Sequence, residues 1–487
     1  MVIGTLAELC RVRARSHGAH RFVDDGTVSL TYAELAERAE AAAAALADHG
    51  VRPGDRVVVQ GRNSAGWVVA GLGALLAGAT LAPLGYGAPA AERDRIVERL
   101  SPRARLCDAD LAGDGWLPIE GLASSGPAPA VELDPDAAAL VLSSSGTTGA
   151  VKSVPMSHHQ LLRLYDDVAE RLRIVDTDRL LGVVPLAHSF GFNGLLLVAM
   201  LRGASVRLCP RYDAAGIAEL AARDEVTVLA GPPAVFHDLA ASAPGPIPSA
   251  RLAIVGGQAV SMPDVVRTVG SLGATEVVIG YGMTEACGSV ALSRFPIDAA
   301  ATAAGLEPLP GVEVQVLDDA GDPVRETPGR LLVRGYNVVR PYAQAPDLEA
   351  GGWLDTGDLG VLHDDGRVSV VGRTSDLVIA SGFNVYPAEV ESVLTECPEV
   401  DRVAVLGVPD PRRGQRLVAC VVPTRDGVDP AAITAYARTR LSAYKVPTDV
   451  VLVPELPLTG TGKIARARLR ELVAGRLGSG GRDRTTP

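Results

Sequence analysis

Short apolar runs alternate with longer amphipathic runs from Thr31 to about residue 290. Thr31 and Glu34 have the spacing of a helix capping box, and the Ala-rich run after them predicts a helix that continues to His49. A second helix is predicted at 65–76. Apolar runs bounded by polar or Gly residues predict strands at 56–60, 80–84, 138–142, 179–184, 205–208, 227–230, 252–255 and 276–279. This alternation is typical of parallel sheets layered with helices.

The pattern changes after Gly311, where polar and apolar positions alternate between Gly and Asp turns. This predicts a β-rich subdomain with strands at 312–317, 329–333 and 367–371. Beyond Asp376 an α/β pattern returns, with predicted helices at 388–395 and 430–441 and strands at 400–407 and 417–423. We therefore predict an α/β fold with three parts: an N-terminal core of layered α/β subdomains plus the β-rich subdomain over 1–375, a small mobile α+β C-terminal domain over 376–477, and a disordered tail over 478–487.

The composition is that of a globular protein and excludes several other classes. Of the 487 residues, 47% are hydrophobic and 21% are charged, and the formal net charge of −11 gives no reason to expect nucleic-acid binding. The six Cys contain no CxxC pair, which argues against a zinc site and a disulfide framework. The N-terminus lacks the apolar core of a signal peptide, and the Gly-broken apolar run at 68–83 is too short to span a bilayer, so we expect a cytoplasmic location.

Lysine is rare in this chain. Of the 46 basic residues only Lys152, Lys445 and Lys463 are Lys, and the other 43 are Arg. Because a planar guanidinium does not replace a compact ammonium, a Lys that persists in such a chain suggests a specific role. One of the three can stand in a loop by chance, and we expect at least two to be functional.

The segment SSSGTTGAVKS, from Ser143 to Ser153, follows an apolar strand and has the character of a phosphate-binding loop. Its hydroxyls and glycines can present donors to an anion, and its Lys adds positive charge. A P-loop would need Gly where Val151 stands, and an ordinary polar turn is the other alternative. The unbroken Ser, Thr and Gly run before a rare Lys favours a different phosphate loop. The candidate phosphate contacts are Ser145, Gly146, Thr147, Thr148, Gly149 and Lys152.

This loop resembles the Ser-Gly-Thr-Thr-Gly-x-x-Lys signature of the adenylate-forming enzymes, which include acyl- and aryl-CoA ligases, peptide synthetase adenylation domains and firefly luciferase. Three positions depart from the family pattern: Val151 replaces Pro, Ser153 replaces Gly, and Ser375 replaces a frequent Lys. The first two bear on loop geometry and ATP affinity. Six further motifs occur in the family's order and spacing: PLAH at 185–188, GGQ at 256–258, GYGMTE at 280–285, WLDTGD at 353–358, GR at 372–373 followed by Asp376 and SGFNVYPAEVE at 381–391, and PLTGTGK at 457–463.

The resemblance implies an ATP site. Tyr281 would stack on the adenine, Asp358 would accept both ribose hydroxyls, and Arg373 would donate to the same sugar. Thr284 would donate to the α-phosphate, and Glu285 would hold the Mg²⁺ that bridges the ATP phosphates. The other predicted ATP contacts are Gly257, Gln258, Gly282 and Met283.

The resemblance also places a carboxylic-acid pocket around His188, although a histidine in an apolar segment is as often a packing residue. Ser189 stands where amino-acid-activating relatives have Asp, which argues against an α-amino acid. The predicted wall carries no charge to pair and therefore suits a neutral hydrophobic acid, fatty or aryl. The wall residues are His188, Ser189, Phe190, Asn193, Phe236, Gly256, Ala286 and Cys287.

By resemblance, the reaction has two steps. A carboxylate attacks the α-phosphorus of ATP, pyrophosphate leaves and acyl-AMP remains, with a catalytic set of Lys463, Glu285, Thr284 and His188. The C-terminal domain then rotates about Asp376, and a thiol of CoA or of a carrier-protein phosphopantetheine attacks the acyl-AMP to give a thioester. The predicted thiol tunnel consists of Gly382, Phe383 and Tyr386.

Three alternatives are weaker. A stand-alone ligase that loads a carrier protein would share the first step and never use CoA. A non-catalytic partner protein would keep the fold without turnover, but Lys463, Glu285, Asp358 and Arg373 are all present. A P-loop NTPase is disfavoured by Val151 and would release ADP instead of AMP.

Overall fold

The computed structural model describes residues 3–122, 124, 126, 131–145, 151–257, 262–299, 305–339, 348–349, 351–380, 383–410, 414–458 and 464–479. Within these residues the chain forms four β-sheets with helices packed on their faces. The α-helices are α1 (Leu6–Ser16), α2 (Tyr32–Asp48), α3 (Ala65–Leu76), α4 (Ala90–Leu100), α5 (His158–Arg171), α6 (Ser189–Gly191), α7 (Val198–Arg202), α8 (Ala214–Arg223), α9 (Pro233–Ser242), α10 (Met262–Ser271), α11 (Pro387–Thr395), α12 (Pro430–Arg438) and α13 (Arg466–Ser479).

Two of these helices begin at capping boxes. At α2 the Thr31 hydroxyl accepts from the backbone N–H of Glu34, and the Glu34 carboxylate accepts from the backbone N–H of Thr31 at 2.8 Å. At α5 Ser157 and Gln160 make the same reciprocal pair. Each box satisfies backbone donors that a helix start otherwise leaves without partners.

The first sheet has the strand order β6-β5-β3-β4-β7-β8 and is parallel except at its last pair. Its strands are β3 (Arg56–Gly61), β4 (Thr80–Gly85), β5 (Ala104–Cys107), β6 (Leu117–Pro118), β7 (Ala138–Ser145) and β8 (Val151–Ser157). Helix α4 packs on one face of the sheet, and α3 and α5 pack on the other. Strand β8 returns antiparallel along β7, so the two ends of the predicted phosphate loop, Ser145 and Val151, are paired across a hairpin.

The second sheet has the order β14-β13-β12-β11-β9-β10-β1-β2, and it is parallel except for the antiparallel pair at each end. Its strands are β1 (Arg21–Asp24), β2 (Ser29–Thr31), β9 (Arg179–Gly182), β10 (Ser205–Leu208), β11 (Val228–Gly231), β12 (Leu252–Gly256), β13 (Glu276–Tyr281) and β14 (Ala291–Pro296). Helices α8, α9 and α10 cover its outer face. Its inner face shares one apolar core with the first sheet, and the largest buried side chains there include Trp67, Tyr32 and Phe22.

A buried amide also joins the two sheets. Asn63 donates to the carbonyl oxygens of Gly182 at 2.9 Å and Val184 at 2.8 Å, and its own side-chain oxygen accepts from the backbone N–H of Leu186 at 2.9 Å. Asn63 follows β3 and the three partners follow or end β9. The segment that leads into His188 is therefore tied to the first sheet.

The β-rich subdomain packs on the same core. It has the strand order β15-β16-β18-β17, with β19 paired to β18. Its strands are β15 (Val312–Leu317), β16 (Gly329–Gly335), β17 (Leu348–Glu349), β18 (Trp353–Leu362) and β19 (Val368–Arg373).

The last sheet has the order β21-β20-β23-β22, with β24 paired to β23, and each of its faces has an apolar core. Helices α11 and α12 cover one face, and α13 covers the other. One contact with the N-terminal core is an ion pair of 2.8 Å between Arg402 and Asp238 of α9. The strands are β20 (Val378–Ala380), β21 (Phe383–Val385), β22 (Val400–Asp410), β23 (Gly414–Pro423) and β24 (Asp449–Leu452).

The predicted fold class is confirmed: layered α/β subdomains and a β-rich subdomain precede a small α+β domain. The boundary at residues 375 and 376 and the mobility of the C-terminal domain stay predictions. Helix α13 ends at Ser479, inside the predicted tail, and the rest of that tail lies outside the described residues. Within the described part of the chain, no helix has the length and apolar character needed to cross a bilayer.

Candidate active site

Three of the predicted nucleotide residues lie together. The Tyr281 hydroxyl, at the end of β13, donates to Asp358 Oδ2 at 2.6 Å, and Arg373 Nε lies 3.2 Å from Asp358 Oδ1. Asp358 is only 6% exposed, and it pairs across β18 and β19 with Arg373. Burial and the Asp358 charge raise the pKa of Tyr281 well above its ordinary value, so its phenol stays a donor at neutral pH.

The predicted α-phosphate and metal residues stand on a tight turn, which we call the Glu285 turn (284–289). Its backbone folds through hydrogen bonds from Cys287 N to the Thr284 carbonyl at 3.1 Å and from Gly288 N to the Met283 carbonyl at 2.8 Å. Gly288 has a φ of 96°, and a Cβ on it would lie 2.6 Å from the Tyr165 hydroxyl oxygen. Only glycine fits this position without moving the turn.

Donors from elsewhere in the fold hold the carbonyl groups of the Glu285 turn. Val339 N donates to the Glu285 carbonyl at 3.0 Å, and Asn337 Nδ2 donates to the Ser289 carbonyl at 2.9 Å. The hydroxyl of the buried Tyr165 donates to the Cys287 carbonyl at 2.9 Å. These donors were not predicted, because buried polar residues that bond distant carbonyls leave no local sequence pattern.

The side chain of Glu285 itself is half-buried and makes no hydrogen bond or ion pair with the described residues. A carboxylate in this position suits a hard cation. No cluster of three or more His, Cys, Asp or Glu within the described ranges could form a cage of its own around a metal ion. The residues present therefore fit an Mg²⁺ ion that ATP phosphates and water would ligate together with one carboxylate.

The position of Lys152 in the β7–β8 hairpin excludes the P-loop alternative. A P-loop Lys opens a helix after a Gly-rich turn, whereas Lys152 lies on strand β8, in register with Ser144 of β7. Four of the candidate phosphate contacts lie outside the described residues, namely Gly146, Thr147, Thr148 and Gly149, as do the side chains of Ser145, Val151 and Lys152. Ser153 Oγ accepts a hydrogen bond from Arg99 Nε of α4 at 3.1 Å.

The predicted acid-pocket residues come together on the inner side of the second sheet, with one exception. His188 caps the short helix α6, and its Nδ1 accepts from Phe190 N at 3.3 Å. The Phe190 ring lies near Gly256, where a Cβ would be 4.0 Å from the ring. Asn193 Nδ2 lies 3.4 Å from the Cys287 carbonyl oxygen, and a Cβ on Gly288, next to Cys287, would lie 3.0 Å from the Cβ of Ser189. Ala286 belongs to the same apolar core as Cys287, and Phe190 packs against that core.

Phe236 is the exception. It lies on helix α9, is 2% exposed and packs against Leu181, Leu229 and Ala253 on the outer face of the second sheet. The structure does not bring it to Phe190 and Asn193. The sequence did not separate Phe236 from the pocket residues, because the apolar run 228–236 contains residues that face both sides of the sheet. The apolar pattern alone does not show which side of the sheet lines the pocket.

The C-terminal site residues are only partly described. Lys463 and Gly382 lie outside the described residues, as does the side chain of Phe383. Gln258 of the N-terminal core lies outside them as well. Tyr386 is half-buried at the start of α11. Asp376 forms ion pairs with Arg466 at 3.6 Å and Arg470 at 3.3 Å.

The other two rare lysines are Lys152, whose side chain lies outside the described residues, and Lys445, which forms an ion pair of 2.5 Å with Glu389 inside the C-terminal domain. That at least two of the three lysines are functional stays a prediction.

Gly257, Gly282, Met283 and Thr284 lie at the ends of β12 and β13, which are adjacent parallel strands. The carboxyl ends of such strands are where open α/β sheets bind ligands.

A sequence profile of AMP-binding enzymes matches residues 10–343, and a profile of the AMP-binding enzyme C-terminal domain matches residues 389–463. The chain belongs to the AMP-binding enzyme family. The predicted family and enzyme class, an AMP-forming ligase of the acyl-CoA synthetase type, are confirmed. The roles of individual site residues stay predictions.

Similar proteins span nearly the whole chain. The (7a-methyl-1,5-dioxo-octahydro-1H-inden-4-yl)propanoyl:CoA ligase of Rhodococcus jostii is 34% identical, over 94% of this chain and 96% of the relative. Feruloyl-CoA synthase of an Amycolatopsis species is 32% identical, over 94% and 97%. The ATP-bound crystal structure of MatB from Rhodopseudomonas palustris superposes with a TM-score of 0.86 at 28% identity, covering 96% of this chain and 98% of that one.

Proposed function

We propose that this protein activates a neutral hydrophobic carboxylic acid with ATP and transfers the acyl group to CoA. The observation that carries the proposal is the buried Asp358, which Tyr281 and Arg373 flank in a family that binds AMP. A buried carboxylate needs donors. The two hydroxyls of a ribose would supply further donors to the same oxygens.

In the first step, the acid carboxylate attacks the α-phosphorus of ATP and the bond to pyrophosphate breaks. Thr284 would donate to the α-phosphate, and Lys463 would bridge the carboxylate and phosphate oxygens as negative charge gathers there. Glu285 would hold Mg²⁺, which when bound would supply positive charge close to the phosphate oxygens. The hairpin loop with Lys152 would cover the outer phosphates.

Support for a neutral hydrophobic acid comes from the pocket and from the relatives. Phe190, Gly256, Ala286 and Cys287 offer no charge to a substrate, and Ser189 replaces the Asp that would pair an amine. The named substrates of similar ligases are a bicyclic propanoate, ferulate and long-chain fatty acids. We place this protein's substrate in the same class, with a fatty or aryl chain.

CoA is our proposed thiol acceptor because the similar ligases are named for CoA, and no observation favours a carrier protein. In the second step, the thiol displaces AMP from the acyl-AMP to give a thioester. The C-terminal domain would turn about Asp376 between the steps, and Gly382, Phe383 and Tyr386 would line the thiol path. A cytoplasmic location belongs to the same proposal, since all six cysteines are free thiols.

The test is a panel of fatty and aryl acids assayed for AMP release, with CoA, with a phosphopantetheine-loaded carrier protein, and with neither. We expect acid-dependent pyrophosphate exchange and CoA-dependent AMP release. Lys463→Ala should lose adenylation by on the order of 10²–10³ and keep most thioester formation from synthetic acyl-AMP. A chain that hydrolyses ATP to ADP, or shows no acid-dependent exchange with any acid, contradicts the proposal.

A further inference from the structure

Asn337 is a fully buried amide whose side chain touches the Glu285 turn twice. Its Nδ2 donates to the Ser289 carbonyl oxygen at 2.9 Å and lies 3.5 Å from the Ala286 carbonyl oxygen. Two residues further on, Val339 N donates to the Glu285 carbonyl at 3.0 Å. One short stretch of the β-rich subdomain therefore contacts both ends of the Glu285 turn.

The same stretch, which we call the bridging segment (336–339), is bonded on its other side to α5. Gln160 Nε2 donates to the Tyr336 carbonyl at 2.9 Å. The Tyr336 hydroxyl donates to Asp167 Oδ2 at 3.1 Å, and the Arg163 guanidinium stacks on the Tyr336 ring at 3.8 Å. These contacts place the segment against the first turns of α5.

Helix α5 starts where β8 ends, and β8 is the second arm of the phosphate-loop hairpin. The bridging segment thus connects two parts that are far apart in the chain, the phosphate hairpin through α5 and the Glu285 turn through Asn337. Both parts would contact ATP phosphates, one through Lys152 and the loop donors and the other through Glu285. The distance between the phosphate hairpin and the Glu285 turn determines whether one bound ATP can contact both of them.

We propose that Asn337 is a positioning residue for the adenylation step, which holds Glu285 at the correct distance from the phosphate hairpin, with Gln160 as the second contact of the same bridge. The inference rests on the proposed role of Glu285 in binding Mg²⁺. Asn337 itself would touch neither ATP nor metal, and its effect would pass through the Ala286 and Ser289 carbonyls.

The chemistry of the site explains why an amide stands there. Two carbonyl oxygens face Asn337 Nδ2, and a primary amide has two N–H donors for them. Ala would leave the Ser289 carbonyl without this donor, and the Ala286 carbonyl would keep only the backbone N–H of Ser289 at 3.3 Å, so the turn would relax to find other partners. Gly335 leaves room for the amide, because a Cβ there would lie 2.8 Å from Asn337 Oδ1.

The first experiment uses Asn337→Ala with Gln60→Ala as a matched control. Gln60 is also a buried amide that donates to two carbonyls, those of Gly85 at 3.2 Å and Tyr86 at 3.4 Å, but it has no contact with the Glu285 turn. In Asn337→Ala we expect the Mg²⁺ concentration for half-maximal pyrophosphate exchange to rise about fivefold, the scale of a lost hydrogen bond. Thioester formation from acyl-AMP should change by less than about twofold. Gln60→Ala should leave the Mg²⁺ requirement unchanged.

A binding measurement tests the same proposal without relying on enzyme activity. We would measure the rise in Tm that Mg²⁺ with ATP produces over ATP with EDTA, since a ligand that binds the native state raises its stability. This Mg²⁺-dependent rise should shrink in Asn337→Ala and persist in Gln60→Ala. A purely structural role would lower the starting Tm of both variants and leave the Mg²⁺-dependent rise intact, which would overturn the proposal.

Gln160→Glu tests the contact between α5 and the bridging segment without removing a buried side chain. Glu keeps the oxygen that accepts from Ser157 N in the capping box but cannot donate to the Tyr336 carbonyl. We expect its Mg²⁺ requirement to rise about twofold to threefold with an unchanged helix content. If both Asn337→Ala and Gln160→Glu leave the requirement unchanged while Glu285→Gln raises it, the bridge is wrong and the proposed function stands. If Glu285→Gln leaves it unchanged as well, the proposed metal role fails.

Discussion

Replacing Asp358 by Asn should weaken ATP binding strongly while the fold is kept. The substitution preserves shape but removes the charge and turns one acceptor oxygen into an N–H donor. In the structure both oxygens are in use, one for the Tyr281 hydroxyl at 2.6 Å and one for Arg373 at 3.2 Å, and the side chain is only 6% exposed. Any ribose hydroxyl would have to donate to these same two atoms.

The magnitude follows from the kind of hydrogen bond. A bond to a charged acceptor contributes about 1.5–3 kcal/mol, and about 1.4 kcal/mol corresponds to a tenfold change in affinity. We therefore expect the KM for ATP to rise by about ten- to a hundredfold in Asp358→Asn. The KM for the acid should stay within about twofold, because Asp358 lies outside the predicted acid pocket. Tyr281→Phe removes one neutral donor and should cost less.

The assay is acid-dependent exchange of labelled pyrophosphate into ATP, with ATP and acid varied separately. Asp355→Asn is the control, since Asp355 lies on the same strand and pairs with Arg330 at 2.5 Å, and Asn keeps the oxygen that accepts from Gly357 N at 2.9 Å. If Asp358→Asn leaves the KM for ATP within about twofold of the wild type, or Asp355→Asn changes it equally, Asp358 does not bind the nucleotide. Because burial raises the pKa of Tyr281 well above the ordinary tyrosine value of about 10, its phenol should keep its proton between about pH 9 and about pH 10.5, where an ordinary tyrosine loses it.

Three further predictions follow from single contacts. Breaking the 2.8 Å ion pair of Asp238 and Arg402 should change the rates of adenylation and thioester formation in opposite directions, by up to about fivefold. The double variant with the two charges exchanged should restore both rates. Equal changes in both rates would exclude a role of this pair in domain orientation. Arg99→Gln removes the guanidinium that donates to Ser153 and should raise the KM for ATP about twofold in steady-state assays, with the KM for the acid unchanged. A change in the KM for the acid alone would indicate that the hairpin contacts the acid substrate and not ATP. Burial lowers the pKa of His158 to about 4, so this histidine takes up a proton when the protein unfolds below about pH 6.5. The Tm should therefore fall as the pH drops from about 6.5 to about 4, and it should fall less steeply in His158→Gln. Parallel curves of Tm against pH for the two proteins would contradict this.

The sequence predicts the layered architecture because the elements with a strong local signal are enough to define it. The capping box of Thr31 and Glu34 marks α2, and the apolar runs mark eight strands, namely β3, β4 and β7 of the first sheet and β9 to β13 of the second. Strand β8 was not predicted, although it decides the P-loop question. The polar segment from Val151 to Ser157 has a strand partner only through β7, so its pairing depends on the tertiary fold.

The site was predicted through motifs, and the supports of those motifs were not. Tyr281, Asp358 and Arg373 belong to separate motifs, and the structure brings them together. Asn337 and Tyr165 bond to the Glu285 turn across long separations in the chain, and a single sequence contains no sign of such pairs. Buried amides and hydroxyls in apolar stretches are the one general signal, since such groups need partners.

The most direct test of the account is the product formed from ATP, a hydrophobic acid and CoA by the purified protein. We predict one AMP, one pyrophosphate and one acyl-CoA for each acid consumed, with pyrophosphate exchange that depends on the acid and needs no CoA. Formation of ADP and phosphate, or AMP release that does not depend on any acid, would contradict the account.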